Sequence, residues 1–412
     1  MTPLSLIFRD FLRIGLLSFG GPAAQIALMH RTLVEERGWL SEAQFLRALS
    51  FCMLLPGPEA MQLATYAGWR LRGTVGGLIA GGLFVLPGAL VIAVLAVLYA
   101  QYGAHPQTET LMLGVKTCVI VIIGQALVRL SRKALKTRTD AVLAVLAFAA
   151  LYALNLPFPL VIGLAAMVGA VRAASPVEEG PAFEGRTRPG TIALWLTLWL
   201  LPLPILWLTD QGLLFELAAF FAKLAVVTFG GAYAVLAYMA QEVVDVRHWL
   251  SAPEMVDALG LAETTPGPLI LVTQFVGQLA GHNAGGIGLA LVASGLTLWM
   301  TFVPCFLWIF AFAPHVESLL ARPRLRAALG AVTAAVVGVI ANLSLWFALH
   351  VLFAETKDSV FGPLPDLSAL RAETLPLLGL AALLLYFKAP VPLMLALTAA
   401  ASWVLFGGLG ML

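Results

Sequence analysis

Four ionisable residues sit inside otherwise apolar stretches and could do chemistry there: Arg13, Lys223, Glu59 and Glu263. Arg13 and Lys223 each lie six residues before a Phe-Gly-Gly triplet. An unpaired cation at membrane depth costs about 2.5–3.5 kcal/mol, so each calls for a partner or an anionic ligand. For Arg13 the alternatives are snorkelling to the interface and pairing with Asp10. Arginine suits a tetrahedral oxyanion, because its planar fork can donate two bonds at once. Glu59 directly follows Pro56-Gly57-Pro58, in the first turn of a helix. It is either a capping acid or a proton-coupling group, since an anion arriving there would raise its pKa and favour protonation. Glu263, three residues before the second Pro-Gly-Pro, is the second acid candidate for proton coupling. Gln62 and Tyr66 fall at i+3 and i+7 from Glu59 and share its helix face. Thr273 and Gln274 follow the second Pro-Gly-Pro in a similar way. These four side chains either donate hydrogen bonds to oxygen atoms of a ligand or simply pack.

The elements that must position these residues are broken helices. Proline removes a backbone donor and clashes with the preceding turn, and glycine adds freedom. Pro56-Gly57-Pro58 and Pro266-Gly267-Pro268 each fall about 15 residues into an apolar segment, near mid-membrane depth. Gly20-Gly21 and Gly230-Gly231 break the first span of each half at a similar depth. Irregular backbone at that depth is tolerated only where protein covers it or it lines a cavity. A half-helix N-terminus directs N–H groups and partial positive charge inward, which favours an anion. The competing reading is close packing and simple kinks, which glycine and proline also serve in membrane helices.

The motifs repeat. Residues 11–58 align without a gap to 221–268, with 17 identities in 48 positions. Phe19-Gly20-Gly21 matches Phe229-Gly230-Gly231, Arg37-x-Trp39-Leu40-Ser41 matches Arg247-x-Trp249-Leu250-Ser251, and Pro-Gly-Pro matches Pro-Gly-Pro. After one deletion, Gly68 is paired with Gly277 and Gly76-Gly77 with Gly285-Gly286. The chain therefore reads as two homologous repeats, 1–173 and 211–412. A polar linker and one joining helix fill 174–210. Ser41 and Ser251 read as N-caps, and Trp39 and Trp249 as interfacial aromatics.

Composition agrees with a membrane setting. Of 412 residues, 60% are hydrophobic and 11% charged, and the mean hydropathy is +0.94. Thirteen spans of ~20 residues would take up roughly 63% of the chain. A soluble enzyme, a disordered protein and a nucleic-acid binder are all disfavoured. The expectation is an all-α polytopic membrane protein of about 13 transmembrane helices. The basic loops holding Arg129–Arg138 and Arg322–Arg326 should be cytoplasmic. With the N-terminus inside and the C-terminus outside, the odd joining helix inverts the second repeat, a plan common among secondary transporters. Each Pro-Gly-Pro segment either spans or re-enters. The N-terminus does not resemble a signal peptide, because Arg9, Asp10 and Arg13 interrupt its apolar run. Cys52, Cys118 and Cys305 are far apart in apolar stretches and read as small buried hydrophobes. No metal site, cofactor, nucleophile motif or Walker sequence is legible, so the chain is not expected to be an enzyme.

At this point the motifs resemble a known family. Phe11 to Ile26, Arg37 to Ser41 and Leu55 to Gln62, with their counterparts in the second half, look like the chromate ion transporter family in its long, two-domain form. That resemblance implies a multi-pass protein of the cytoplasmic membrane that exports chromate, an oxyanion related to sulfate, with protons as the coupling ion. It implies no cofactor. The second half departs from the first at Ala232, Thr265 and Leu269, where the first has Pro22, Leu55 and Glu59, so the two halves should contribute unequally. A passive anion channel and a broader sulfate or oxyanion transporter of the same fold stay open as alternatives. So does the oligomeric state, a homodimer included.

Overall fold

The computed structural model describes residues 2–172, 187–229, 232–316, 322–359 and 362–407. Its helices in chain order are α1 Leu4–Leu17, α2 Gly21–His30, α3 Glu42–Cys52, α4 Glu59–Tyr102, α5 Pro106–Ala134, α6 Arg138–Tyr152, α7 Phe158–Arg172, α8 Pro189–Leu200, α9 Pro202–Leu208, α10 Gly212–Val227, α11 Ala232–Gln241, α12 Ala252–Thr264, α13 Val272–Phe312, α14 Pro323–Leu352, α15 Thr374–Tyr386 and α16 Val391–Ser402. Among the described residues, five helical stretches are long and apolar enough to cross a bilayer. Cys52, Cys118 and Cys305 are all buried free thiols.

The breaks fall where glycine and proline place them. α1 stops at Leu17 and α2 starts at Gly21, with Gly20 and Gly21 both at positive φ. α3 ends at Cys52 and α4 begins at Glu59, directly after Pro56-Gly57-Pro58. Gly230 and Gly231 lie outside the described residues.

α4 and α13 are each two helices joined by a reversal. A Cβ placed on Gly68 would meet the Gly76 carbonyl and Ala80. Twelve residues along a straight helix span about 18 Å, so contact demands that the chain fold back. It does so at Arg72-Gly73, where Gly73 has φ +62°. Gly286, at φ +73°, turns the second hairpin, and Gly281 there meets the Leu289 carbonyl and Ala293. These pairs are related by an offset of 213, whereas the breaks upstream keep 210. The pairing of Gly68 with Gly277 and of Gly76-Gly77 with Gly285-Gly286 is thus corrected. Instead of a deletion, the second half carries three extra residues, the 3-10 turn Leu269–Leu271. Val272, not Leu269, is then the structural counterpart of Glu59.

The Arg-x-Trp-Leu-Ser motif builds the same turn twice. A π-helical stretch precedes it in both halves, Arg31–Glu36 and Glu242–Val246. The Trp39 amide then donates to the Leu33 carbonyl at 2.8 Å, and the Trp249 amide to Val243 at 3.0 Å. Gly38 and His248 both adopt positive φ, and each arginine lies over its tryptophan ring. Ser41 closes a capping box with Gln44, and Ser251 exchanges bonds with Glu254, as N-caps do. Ser41→Ala is expected to cost about 1 kcal/mol, read as a lowered Tm in detergent.

The chain forms two compact units, and each draws on both sequence halves. The first holds residues 1–96, 171–235 and 265–327. It is built on small residues: Gly15 lies against the Leu83 carbonyl and Gly88 against the Pro266 carbonyl. The second holds 97–170, 236–264 and 328–412. In it Gly114 lies against Thr398 and Gly338 against Ala144, again backbone to backbone. One element departs from an all-α chain. Residues Thr356–Ser359 (β1) and Gly362–Pro365 (β2) pair antiparallel within the loop between α14 and α15. Tyr152 donates its hydroxyl to the Pro363 carbonyl and ties this hairpin to α6.

Candidate functional site

Within the first unit, the breaks of the two halves clasp each other. The Gly57 amide donates to the Thr228 carbonyl at 2.8 Å, and the Gly267 amide donates to the Ser18 carbonyl at 2.8 Å. Gly57 and Gly267 are equivalent positions, and so are Ser18 and Thr228. Each Pro-Gly-Pro of one half is thus bonded to the residue before Phe-Gly-Gly of the other. Ser18 and Thr228 are alike in detail. Each turns its hydroxyl back onto its own helix, to the Ile14 and Leu224 carbonyls. Each then forms a tight three-residue turn, Phe19 N–H to Leu17 and Phe229 N–H to Val227, both 3.0 Å. The proline on either side of each glycine lacks an N–H, so the glycine amide is the one donor within each motif.

This clasp takes up donors that an anion could otherwise use. The glycine amides of both Pro-Gly-Pro motifs have protein partners. No side chain caps the N-terminus of α2 at Gly20 or of α13 at Leu271. At α2 the first-turn amides are the groups an anion would meet, whereas the Val272 amide that opens α13 already donates to the Leu269 and Ile270 carbonyls.

The structure brings some candidate residues to the breaks and leaves others away. Gln62 is fully buried and donates Nε2–H to the Pro56 carbonyl at 2.6 Å. Tyr66 packs between Phe51 and Trp69, both rings centred 5.9 Å away. Thr273 donates to the Ile270 carbonyl, and Gln274 donates to the Ala89 carbonyl and to Ser294. Glu59 is half-buried at the start of α4. Arg13 stands on an exposed face of α1 and reaches Glu36 at 3.4 Å. Its expected alternative partner, Asp10, instead takes Arg37 at 2.8 Å and Arg9 at 3.4 Å, which corrects that pairing. Lys223 is likewise on an exposed helix face. Glu263 is buried but belongs to the second unit.

Two features escaped the sequence reading. Gln25, on α2, is 1% exposed and donates to the Gly267 carbonyl at 2.6 Å. Nothing local to Gln25 points to a contact 242 positions away. In the second unit, Lys116 lies 3.0 Å from Asp257, and Tyr99 donates to the other carboxylate oxygen at 2.7 Å. Lys116 and Asp257 sit in apolar stretches, so the rule that singled out Arg13 applies to them equally.

Among relatives, a chromate transport protein of Cupriavidus metallidurans is 32% identical over 80% of this chain and 79% of its own length. A chromate transport protein of Pseudomonas aeruginosa is 32% identical over 81% of this chain and 78% of its own. An uncharacterized transporter of Bacillus subtilis is 34% identical over 28% of this chain and 66% of its own. No solved structure matches the chain. The chromate transporter family model matches twice, at residues 5–170 and 215–403, and the chain therefore belongs to the chromate transporter family, in its long two-domain form.

Proposed function

We propose that this protein exports chromate across the cytoplasmic membrane, driven by the proton gradient. The observation that carries the reading is the reciprocal clasp of the four breaks, in a chain whose relatives are named for chromate transport. Broken helices at membrane depth are a means of binding an anion without a buried cation, because backbone amides and helix dipoles carry the partial charge. Repeats at 1–173 and 211–412, joined through 174–210 and inverted in a thirteen-span arrangement with the N-terminus inside, fit the basic loops and the paired geometry. The site comprises Gly20-Gly21, Pro56–Pro58, Gly230-Gly231 and Pro266–Pro268. Arg13 and Lys223 act as outlying attractors of the anion, since both lie one to two turns before a break. Glu59, at the first turn of α4, exchanges the coupling proton, and Glu263 is the second candidate for that role. Glu59→Gln is expected to keep some transport but weaken its dependence on the pH gradient.

The test is flux in proteoliposomes of the purified protein, comparing chromate, sulfate and molybdate under imposed pH gradients. Chromate flux that follows the gradient supports the reading. Current without proton movement favours a passive channel, and equal sulfate flux a broader oxyanion transporter. Chromate flux absent under every gradient defeats it.

A further inference from the structure

Each Pro-Gly-Pro break carries a buried glutamine in the same chemical pose. Gln62 holds the Pro56 carbonyl and Gln25 the Gly267 carbonyl, both through Nε2–H at 2.6 Å. A carbonyl only accepts, so the NH2 end of each amide must face it. That orientation turns both Oε1 atoms away from their carbonyls. Both side chains are at most 1% exposed, and neither Oε1 meets a donor among the described residues. Gln25 and the Ser18 carbonyl hold the two sides of one glycine, Gly267. Gln274 and Gln278, farther along α13, have the same pose on the Ala89 and Ala93 carbonyls and the same donor-lacking Oε1, but Gln62 and Gln25 are the two that hold a carbonyl of a Pro-Gly-Pro motif itself.

An acceptor is the wrong group for a fully ionised oxyanion, whose oxygens all accept. It is the right group for an oxyanion that keeps one O–H. We infer that Gln62 and Gln25 are specificity-determining residues that read a proton on the substrate. The anion held at the breaks is the singly protonated form, its hydroxyl donating to a glutamine Oε1. The inference rests on the proposed oxyanion transport and deepens it. Chromate, sulfate and molybdate are all tetrahedral dianions when ionised, so donors and cations alone separate them poorly. They differ in basicity. Chromate takes up a proton near neutral pH, whereas sulfate and molybdate do so only in more acidic solution. A site with an obligatory acceptor converts that difference into selectivity, because the unprotonated anion meets lone pair against lone pair. The proton read here travels on the substrate and is separate from any proton exchanged at Glu59.

Other titratable groups stand nearby. Glu59 is on the same helix as Gln62, Cys52 ends α3, and Cys305 lies beside Gly57 and the Gln62 amide. Near the start of α2, the Tyr233 hydroxyl approaches Gly21. Protonation of any of these would alter the binding of all three anions alike. Protonation of the ligand alters chromate alone.

The experiment is equilibrium binding of chromate, sulfate and molybdate to the purified full-length protein in nanodiscs, from about pH 6 to about pH 8.5. Apparent chromate affinity is expected to fall about tenfold per pH unit on the alkaline side, as linkage to one ligand proton requires. Sulfate and molybdate should bind about 10,000-fold more weakly at neutral pH, as sites that read a hydroxyl reject analogues lacking it. Gln62→Met and Gln25→Met should bring the three affinities within a few-fold of one another. If either variant fails to fold, the wild-type pH series and the molybdate comparison decide alone. Chromate binding that ignores pH, or molybdate binding that matches chromate in strength and pH response, overturns the inference while leaving oxyanion transport intact. Binding of no oxyanion at any pH overturns the proposed function and this inference with it.

Discussion

Gly57→Val is expected to abolish chromate flux, by about 100-fold or more, in protein that still inserts into the membrane. Gly57 sits at φ +116°, where a β-branched residue is strained. The left-handed side of φ costs an L residue about 1–2 kcal/mol. A side chain there would also press on the Gln62 amide at 2.8 Å and on Cys305 Sγ at 3.2 Å. Overpacking of that kind costs about 1–3 kcal/mol more. Both costs fall on the peptide whose amide binds the Thr228 carbonyl, so the clasp should open before the surrounding helices melt. Flux in proteoliposomes, with size-exclusion elution as the folding control, checks this. Gly267→Val, at φ +90° in the second break, should do the same through Ser18. Wild-type flux in either variant would show that the breaks tolerate side chains and do not shape the path.

Lys116→Met is expected to destabilise the second unit strongly. Its ammonium lies 3.0 Å from Asp257, and the side chains are 15% and 10% exposed. Removing one partner of a buried pair leaves the other charge uncompensated, at about 3–5 kcal/mol. Asp257 would keep the Tyr99 hydroxyl, which does not neutralise its charge. Replacing both charges, as Lys116→Met with Asp257→Leu, should recover most of the loss, because neutral packing often equals a buried pair. Thermal unfolding in detergent distinguishes the two. A Lys116→Met Tm equal to wild type would mean the pair contributes nothing.

Glycine-proline punctuation is local chemistry, and it was readable. α1 stops before Gly20-Gly21, α3 stops before Pro56, and α4 starts after Pro58, because Pro-Gly-Pro removes backbone donors and clashes with the preceding turn, and paired glycines weaken a helix. The N-cap at Ser41 was readable for the same reason, since its bond spans three residues, and the structure adds the reciprocal bond with Gln44. The register that pairs Gly73 with Gly286 was legible too, but the shared Gly-Gly pairs drew the alignment to an offset of 209 instead. At the corrected offset Ala67, Gly68, Gly73, Leu78, Ala80, Gly82 and Leu83 match Ala280, Gly281, Gly286, Leu291, Ala293, Gly295 and Leu296, more identities than the offset of 209 gives over the same stretch. The contact of Gly68 with Ala80, mirrored by Gly281 with Ala293, selects the same offset of 213.

The candidate site divides along the same line. Its break points and its twofold repetition follow from residue types and spacing, which are properties of the chain before it folds. The bonds from Gly57 to Thr228, from Gly267 to Ser18 and from Gln25 to Gly267 do not. They join carbonyls and amides, which every residue carries, so no side-chain pattern marks them. Fold packing alone chooses which of many identical backbone groups meet. The charges behaved likewise. Their scarcity within apolar stretches drew attention to Arg13, but only packing sent Arg13 to Glu36, Arg37 to Asp10 and Lys116 to Asp257, because each pairing depends on which helix faces are brought within reach.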